Sequence, residues 1–186
     1  MKFLQKLLRD FCLRTGRGQT LYRNFGQPDH RDWADFQRRH KGVDIGSNTT
    51  VNPGACFMDA GAITIGHSCS ISDATFVTHS GYDRVLAYKY QLPLKGGINS
   101  ITVGNYCGFG TGAKIIGPVA IGNDCYIAAG AIVTKDVPNG TMVVGFNNHI
   151  GRTENHARGR IDWDSIPEIT RDAPLRARVR LLQPTR

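Results

Sequence analysis

His79 is the side chain in this sequence best suited to proton transfer. An imidazole titrates near neutrality, so it can take a proton from a hydroxyl or an amine under physiological conditions. Asp59 lies 20 residues earlier, and its carboxylate could orient the imidazole or hold a substrate if the fold brought the two together. Taken alone, His79 fits an ordinary surface histidine better than a catalyst, so a catalytic role depends on the elements that position it.

The chain around His79 carries a repeat of six residues. Bulky apolar residues recur at this spacing at Val103, Phe109, Ile115, Ile121, Ile127 and Val133. Smaller residues follow four positions later, at Cys107, Ala113, Val119, Cys125 and Ala131. The same register is found at Ile45, Val51 and Phe57, and again at Ile65, Ile71 and Val77 with Cys69 and Thr75 as the small partners. This period fits neither an ordinary helix nor a flat strand.

Three strands of six residues make one triangular turn of a β-solenoid. We therefore expect four coils, at residues 45–62, 65–79, 103–120 and 121–138. Coils stack like the strands of a sheet, about 4.8 Å apart, and each covers the apolar layer of the next. In this register Val77 points inward, and Asp59 lies one coil below His79. The sequence thus predicts an all-β parallel solenoid. The chain departs from this solenoid at His79 and enters a long loop.

The segment IGNDCYIAAGAIVTKDVPNGTMVVG at residues 121–145 resembles the last coils of hexapeptide-repeat acyltransferases. This family includes galactoside, maltose, xenobiotic and polysaccharide O-acetyltransferases, and the resemblance covers about residues 42–152. It implies a left-handed parallel β-helix, although the usual preference of parallel crossovers would predict the opposite hand.

The resemblance also implies roles for residues of an active site. The family's histidine stands at the start of such a loop, so His79 becomes the general base, with Asp59 as its partner. In the galactoside and maltose enzymes an asparagine seven residues before an aspartate helps to bind the acceptor sugar, and Asn52 and Asp59 repeat that spacing. Asn52, Pro53 and Gly54 are also residue types that favour a tight turn, so they could simply form a corner of the solenoid. Asp59 could instead cap an irregular turn.

For the acyl donor, the resemblance implies acetyl-CoA bound in a groove between neighbouring solenoids of a homotrimer. The family's contacts fall on Thr111 and Ala129, whose backbone would pair with the pantetheine arm, and on Thr134 and Lys135. Arg152 matches a basic residue that approaches the CoA phosphates. Where many relatives read G-N-P-A or G-V-P, this chain has GFNNH at residues 145–149, which leaves open how the nucleotide end is held.

Three segments lie outside the repeat. A long loop at 80–101 offers Tyr82, Tyr88, Tyr90 and Lys89, which could stack on a sugar or pack against an adjacent subunit. Residues 3–12 predict an amphipathic helix that packs on the solenoid or a neighbouring subunit, or adsorbs to an anionic membrane surface through residues 1–12. We divide the chain into a helical, basic extension at 1–41, the β-helix at 42–150 and a helical or irregular extension at 151–186.

Composition excludes several classes of protein. The net charge of +8 is confined to the ends, with ten basic and four acidic residues in 1–41 but five and six in 42–150, and no nucleic-acid motif accompanies it. Five cysteines without a C-x-x-C pair argue against a zinc cage and a disulfide framework. The absence of an apolar stretch of about 18–20 residues or a secretory signal predicts a cytoplasmic protein, at the inner face of the membrane if the helix adsorbs.

We therefore expect an enzyme that transfers acetyl from acetyl-CoA directly to a hydroxyl of a sugar or surface glycan. Cys69, Cys107 and Cys125 occupy inward positions, which argues against an acyl-cysteine intermediate. N-acetylation of a nucleotide-linked amino sugar and a non-catalytic binding solenoid stay open as alternatives. A carbonic-anhydrase-like metal site needs converging histidines, which His67, His79 and His149 do not supply, so no metal is expected.

Overall fold

The computed structural model describes residues 2–91 and 97–152, which belong to one compact unit, Met1–Thr153. Three helices come first: α1 (Lys2–Thr15), α2 (Gln19–Phe25) and α3 (His30–Phe36), followed by a π-helical turn at Gln37–Lys41. The helix predicted at 3–12 is confirmed within α1. The sequence pattern did not indicate α2 and α3, because two-turn helices carry too few residues to show a period. The predicted C-terminal extension lies outside the described residues from 153 onward, as do loop residues 92–96.

Fourteen short strands follow in the described part of the chain. They are β1 (Asp44–Ile45), β2 (Thr50–Val51), β3 (Cys56–Phe57), β4 (Ile63–Ile65), β5 (Ser70–Ile71), β6 (Thr75–Val77), β7 (Ile101–Val103), β8 (Gly108–Phe109), β9 (Lys114–Ile116), β10 (Val119–Ile121), β11 (Tyr126–Ile127), β12 (Ile132–Val133), β13 (Thr141–Val144) and β14 (Asn148–Arg152). A 3₁₀ turn at Ala60–Ala62 follows β3, and the helix α4 (Tyr82–Tyr90) follows β6. The segment 80–101 is therefore partly helical, not only a loop.

Each strand from β1 to β9 pairs in parallel with the strand three places further along the chain, and β11 pairs in parallel with β13. The resulting sheets have the orders β1-β4-β7-β10, β2-β5-β8-β11-β13-β14 and β3-β6-β9-β12, and only β14 is antiparallel to its neighbour. Three sheets of this kind are the three faces of a parallel β-helix. The all-β solenoid predicted from the six-residue repeat is thus confirmed.

The β-helix extends further than the repeat predicts. Beyond four complete coils, Val137 bridges to Ile121, β13 pairs with β11, and Phe146 bridges to Ile132. These contacts form a partial fifth coil, so the expected number of four is wrong. The fifth coil escapes detection because the bulky residue after Val133 comes four positions later instead of six.

The inward positions of the repeat form the core. The six bulky residues from Val103 to Val133 are no more than 3% exposed, and Cys69, Cys107 and Cys125 are equally buried. The three thiols donate to backbone carbonyls of the next coil, at 3.3 Å to Gly104, 3.1 Å to Gly122 and 3.1 Å to Pro138. These cysteines are packing residues that fill the narrow interior.

The predicted register is wrong by one residue at the end of the second coil. Phe76, not Val77, is fully buried, and it pairs with Phe57 below and Ile115 above. Ala74 likewise takes the small inward position expected for Thr75. The cause is the preceding corner, which has four residues between β2 and β3 but three between β5 and β6.

Arg38 covers the edge of the first coil. In the second coil the carbonyls of Ile65 and Gly66 accept hydrogen bonds from Gly46 and Thr49 of the coil before it. The equivalent carbonyls of the first coil have no preceding coil to pair with. Arg38 supplies the missing donors, with Nε 2.8 Å from the oxygen of Ile45 and Nη2 3.1 Å from that of Gly46. The backbone carbonyls at this strand edge are thereby hydrogen-bonded, and they are not left free to pair with another chain and cause aggregation.

Replacing Arg38 should therefore destabilise the protein. Arg38→Ala removes both edge hydrogen bonds and the ion pair with Asp35, and we expect the free energy of unfolding to fall by about 1–2 kcal/mol. Urea unfolding followed by circular dichroism measures the change. Arg39→Ala is the matched control, because Arg39 is exposed on the same turn. Equal stability of the two variants would contradict the capping role.

Candidate active site

The candidate site lies where two neighbouring strands of one sheet end. Asp59 follows β3 in the first coil, and His79 follows β6 in the second. Asp59 adopts a left-handed backbone conformation, with φ of 45°, which aspartate tolerates better than most residues. The strand pairing brings Asp59 level with Thr78, one residue before His79. The corrected register therefore adds Thr78 to the pair expected from the sequence.

Three side chains meet at this point. The Thr78 hydroxyl donates a hydrogen bond of 2.6 Å to Oδ2 of Asp59, and Nδ1 of His79 contacts the same oxygen. Thr78 is fully buried, whereas Asp59 and His79 are partly exposed. A buried hydroxyl thus fixes the carboxylate, and the carboxylate fixes the imidazole. Sequence reasoning missed Thr78, although its position directly before His79 was a usable signal.

The electrostatics suit an imidazole that acts as a base. Hydrogen bonds from Thr78 and from His79 hold the pKa of Asp59 below its ordinary value, so the carboxylate is ionised at neutral pH. An ionised carboxylate accepts a hydrogen bond from Nδ1–H of neutral His79, and this tautomer leaves Nε2 with a free lone pair. The arrangement can therefore remove a proton from a group placed at Nε2.

A cavity of about 430 Å³ opens beside the pair. Its lining residues are Asp59, His79, Ser80, Gly81, Arg84, Gly97 and Ile98. Arg84 comes from α4 and brings a permanent positive charge, and Ile98 brings an apolar side chain that is largely exposed. Neither residue was predicted, because the loss of the six-residue register after His79 leaves their positions undefined.

Two residues predicted for the acceptor lie elsewhere. Tyr82 begins α4, is 62% exposed and does not line the cavity. Asn52 precedes β3 and Asp59 follows it, so an extended strand separates the two. The side-chain oxygen of Asn52 accepts a hydrogen bond of 3.0 Å from the backbone N–H of Gly54. Asn52 therefore stabilises the turn at this corner of the β-helix. Within one chain, the structure thus brings together Asp59 and His79 but neither Asn52 nor Tyr82.

The predicted donor residues divide between two corners of the β-helix. Thr111 and Ala129 stack where the second sheet turns into the third, and the oxygen of Thr111 accepts a hydrogen bond of 2.9 Å from Gly130. Thr134 and Lys135 follow β12, at the same edge of the third sheet as His79. One strand, β9, lies between β6 and β12, so Lys135 is about 10 Å further along this edge.

Asn147 holds Thr134 in place. Its side-chain oxygen accepts from the Thr134 backbone at 2.7 Å, and its amide donates to the Thr134 hydroxyl at 2.6 Å. Asn147 belongs to the GFNNH segment that departs from the family pattern, so this segment fixes the position of Thr134. The backbone of Arg152 pairs with Thr141 at the end of β14. The side chain of Arg152 lies outside the described part, and its contact with CoA stays a prediction.

A metal site would need several His, Cys, Asp or Glu side chains close together. Within 2–91 and 97–152, no three His, Cys, Asp or Glu side chains are placed to hold a metal ion. The ring of His67 packs edge-on against Tyr106, with 4.8 Å between centroids, at a corner away from His79. No helix in these ranges has the length and apolar character needed to cross a bilayer.

No family model matches the chain, but individual proteins do. A serine acetyltransferase of Mycobacterium tuberculosis is 32% identical over 137 residues, which are 73% of this chain and 57% of that protein. A UDP-3-O-acylglucosamine N-acyltransferase of Janthinobacterium is 26% identical over 152 residues, covering 77% of this chain and 37% of that protein. This chain therefore spans only about half, or less, of the length of these curated relatives. Neither is a galactoside, maltose or xenobiotic enzyme.

Among solved structures, the hexapeptide-repeat-containing acetyltransferase of Vibrio cholerae has a TM-score of 0.50 and 21% identity. The superposition covers 80% of this chain and 92% of that one. This likeness in fold confirms the left-handed parallel β-helix predicted from the sequence. The sequence relatives, together with the six-residue repeat, show that the chain belongs to the hexapeptide-repeat acyltransferase family.

Proposed function

We propose that the protein transfers an acetyl group from acetyl-CoA to an acceptor hydroxyl, with His79 as the general base. The observation that carries the proposal is the contact between Nδ1 of His79 and the ionised Asp59 beside an open cavity. The names of the relatives, which are acyltransferases, support the same reaction class.

The proposed reaction is direct transfer. Nε2 of His79 takes the proton from the acceptor hydroxyl while the hydroxyl oxygen attacks the thioester carbonyl. A backbone N–H stabilises the oxyanion that develops on the carbonyl oxygen. This attack forms the new C–O bond and the tetrahedral intermediate, whose collapse restores the carbonyl and breaks the C–S bond. The sulfur of CoA then receives the proton from the imidazolium. Asp59 stabilises that imidazolium, because its negative charge is held at Nδ1 throughout.

The donor is proposed to lie along the edge that His79 shares with Lys135. The exposed cation of Lys135 can meet a phosphate of CoA, and Thr134 is held rigid by Asn147. Thr111 and Ala129 stand at the next corner, so one chain does not gather all four predicted donor residues at one place. A homotrimer, in which the edge of one β-helix faces a corner of the next, would bring them to one groove.

The proposed acceptor is a hydroxyl of a sugar or surface glycan. The relative named serine acetyltransferase supports a hydroxyl and makes serine itself a candidate that must be tested beside sugars. A second candidate is N-acetylation of a nucleotide-linked amino sugar, which is favoured by the relative named UDP-3-O-acylglucosamine N-acyltransferase. The same base can deprotonate an amine, so the pair does not separate oxygen from nitrogen acceptors.

An acceptor screen tests the proposal. The purified protein is incubated with acetyl-CoA and, separately, serine, glucose, galactose, N-acetylglucosamine or UDP-glucosamine, and thiol release and acetylated product are measured. A hydroxyl product supports the main proposal, and an amide product supports the second candidate. Acetyl-CoA that neither binds nor reacts would contradict both.

Loss of His79 should remove turnover without removing donor binding. We expect His79→Ala to lower kcat by about 10²–10⁴-fold, which is the usual effect of a lost general base, and to leave the Kd for acetyl-CoA unchanged. His67→Ala is the matched control, because His67 belongs to the same coil but lies at a different corner. Near-normal turnover of His79→Ala would exclude this histidine from the mechanism.

Loss of Lys135 should weaken donor binding, in contrast to loss of His79, which should lower turnover. Lys135→Ala removes a cation from the proposed donor edge, and we expect acetyl-CoA affinity to fall by roughly tenfold, the effect of one charge-assisted contact. Calorimetric titration measures the Kd, and Lys6→Ala on α1 serves as the control. If the two variants bind acetyl-CoA equally well, the donor site is misplaced.

A further inference from the structure

Six large apolar side chains of the first two helices are exposed. Each is between 50% and 76% exposed; they are Phe3, Leu4, Leu7 and Phe11 on α1 and Leu21 and Phe25 on α2. We refer to these six residues as the helical surface. Single exposed apolar residues are ordinary, but a concentration of this kind marks a surface that meets a partner.

The geometry of α1 explains why this surface is exposed. Phe3, Leu7 and Phe11 are spaced four residues apart, and Leu4 lies beside them, so they form one stripe along the helix. A different side of α1 faces the protein, where Cys12 is buried and Leu8 packs against the core. The predicted apolar face of α1 is therefore only partly used for packing within the chain.

The second helix extends the helical surface. α2 lies against α1, with the side-chain amide of Gln5 3.5 Å from the backbone oxygen of Phe25. Leu21 and Phe25 stand one turn apart on α2, whereas Tyr22 between them is buried. The two helices thus fix each other and present apolar side chains from both.

Charge indicates which partner this surface fits. Five exposed basic residues stand on or beside the two helices: Lys2, Lys6, Arg14, Arg17 and Arg23. Arg9 is neutralised by Asp32 at 2.6 Å. A second copy of the same surface would bring like charges together. The β-helix of another copy would not neutralise them either, because residues 42–150 have five basic and six acidic residues and hence a net charge close to zero. An anionic surface would neutralise these cations.

We propose that the helical surface binds the anionic surface of a lipid bilayer. An amphipathic helix with basic flanks lies in the plane of the interface, with its apolar stripe among the acyl chains and its cations at the headgroups. The lysines and arginines reach the headgroups through their flexible stems. Binding through two helices held by a folded core orients the protein on the membrane.

Vesicle sedimentation tests this proposal on the full-length protein. Vesicles of phosphatidylcholine with phosphatidylglycerol are compared with vesicles of phosphatidylcholine alone, at low and high salt. We expect binding to the anionic vesicles that is weakened by salt, and at least about tenfold weaker binding for Phe3→Ser/Leu7→Ser. Phe146→Ser/Ile150→Ser is the matched control, because it removes exposed apolar side chains from the opposite end of the β-helix.

Sedimentation equilibrium of the same proteins gives the oligomeric mass. An unchanged mass together with the loss of vesicle binding supports the membrane surface. A smaller mass for Phe3→Ser/Leu7→Ser would assign the helical surface to a contact between subunits and overturn the proposal. The proposal is also overturned if wild-type protein fails to bind the anionic vesicles, or if this variant binds them as well as wild type does.

Discussion

Backbone pairing between successive coils is the interaction on which the rest of this structure depends. Each strand is only two to five residues long, so no strand is stable alone, and stability comes from stacking one apolar layer on the next. The same pairing creates an open edge at the first coil, which Arg38 and the helices cover. It also sets the site, because Asp59 and His79 belong to adjacent coils and meet at one edge of a sheet.

The sequence predicts the repetitive part of this fold well. The inward residues from Val103 to Val133 follow from spacing alone, since a strict period leaves one choice of register. Prediction fails where the period is broken: the shortened corner before Thr75 moves Phe76 inward, and the spacing after Val133 hides the fifth coil. The hydrophobic pattern does not report a corner's length, so such shifts become visible only when strands are paired.

The candidate site shows the same division. The contact between Asp59 and His79 could be predicted because each follows the third strand of its coil, and the two side chains do meet. Thr78 and Arg84 depend on the exact register and on α4, which a broken period does not reveal. The site lies on the first two coils, and α3 packs against β2 of the first coil. Along the stack, the site is therefore within about 10 Å of the end that the helices cover. Membrane binding through α1 and α2 would thus hold the site near lipid, which suits a glycan acceptor carried on a lipid.

The account depends above all on acetyl-CoA as the donor, and calorimetric titration of the full-length protein with acetyl-CoA tests this most directly, because binding requires no knowledge of the acceptor. The account predicts saturable binding of about one acetyl-CoA per chain. No detectable binding at millimolar acetyl-CoA would contradict it and leave a β-helix whose Asp59–His79 pair serves another purpose.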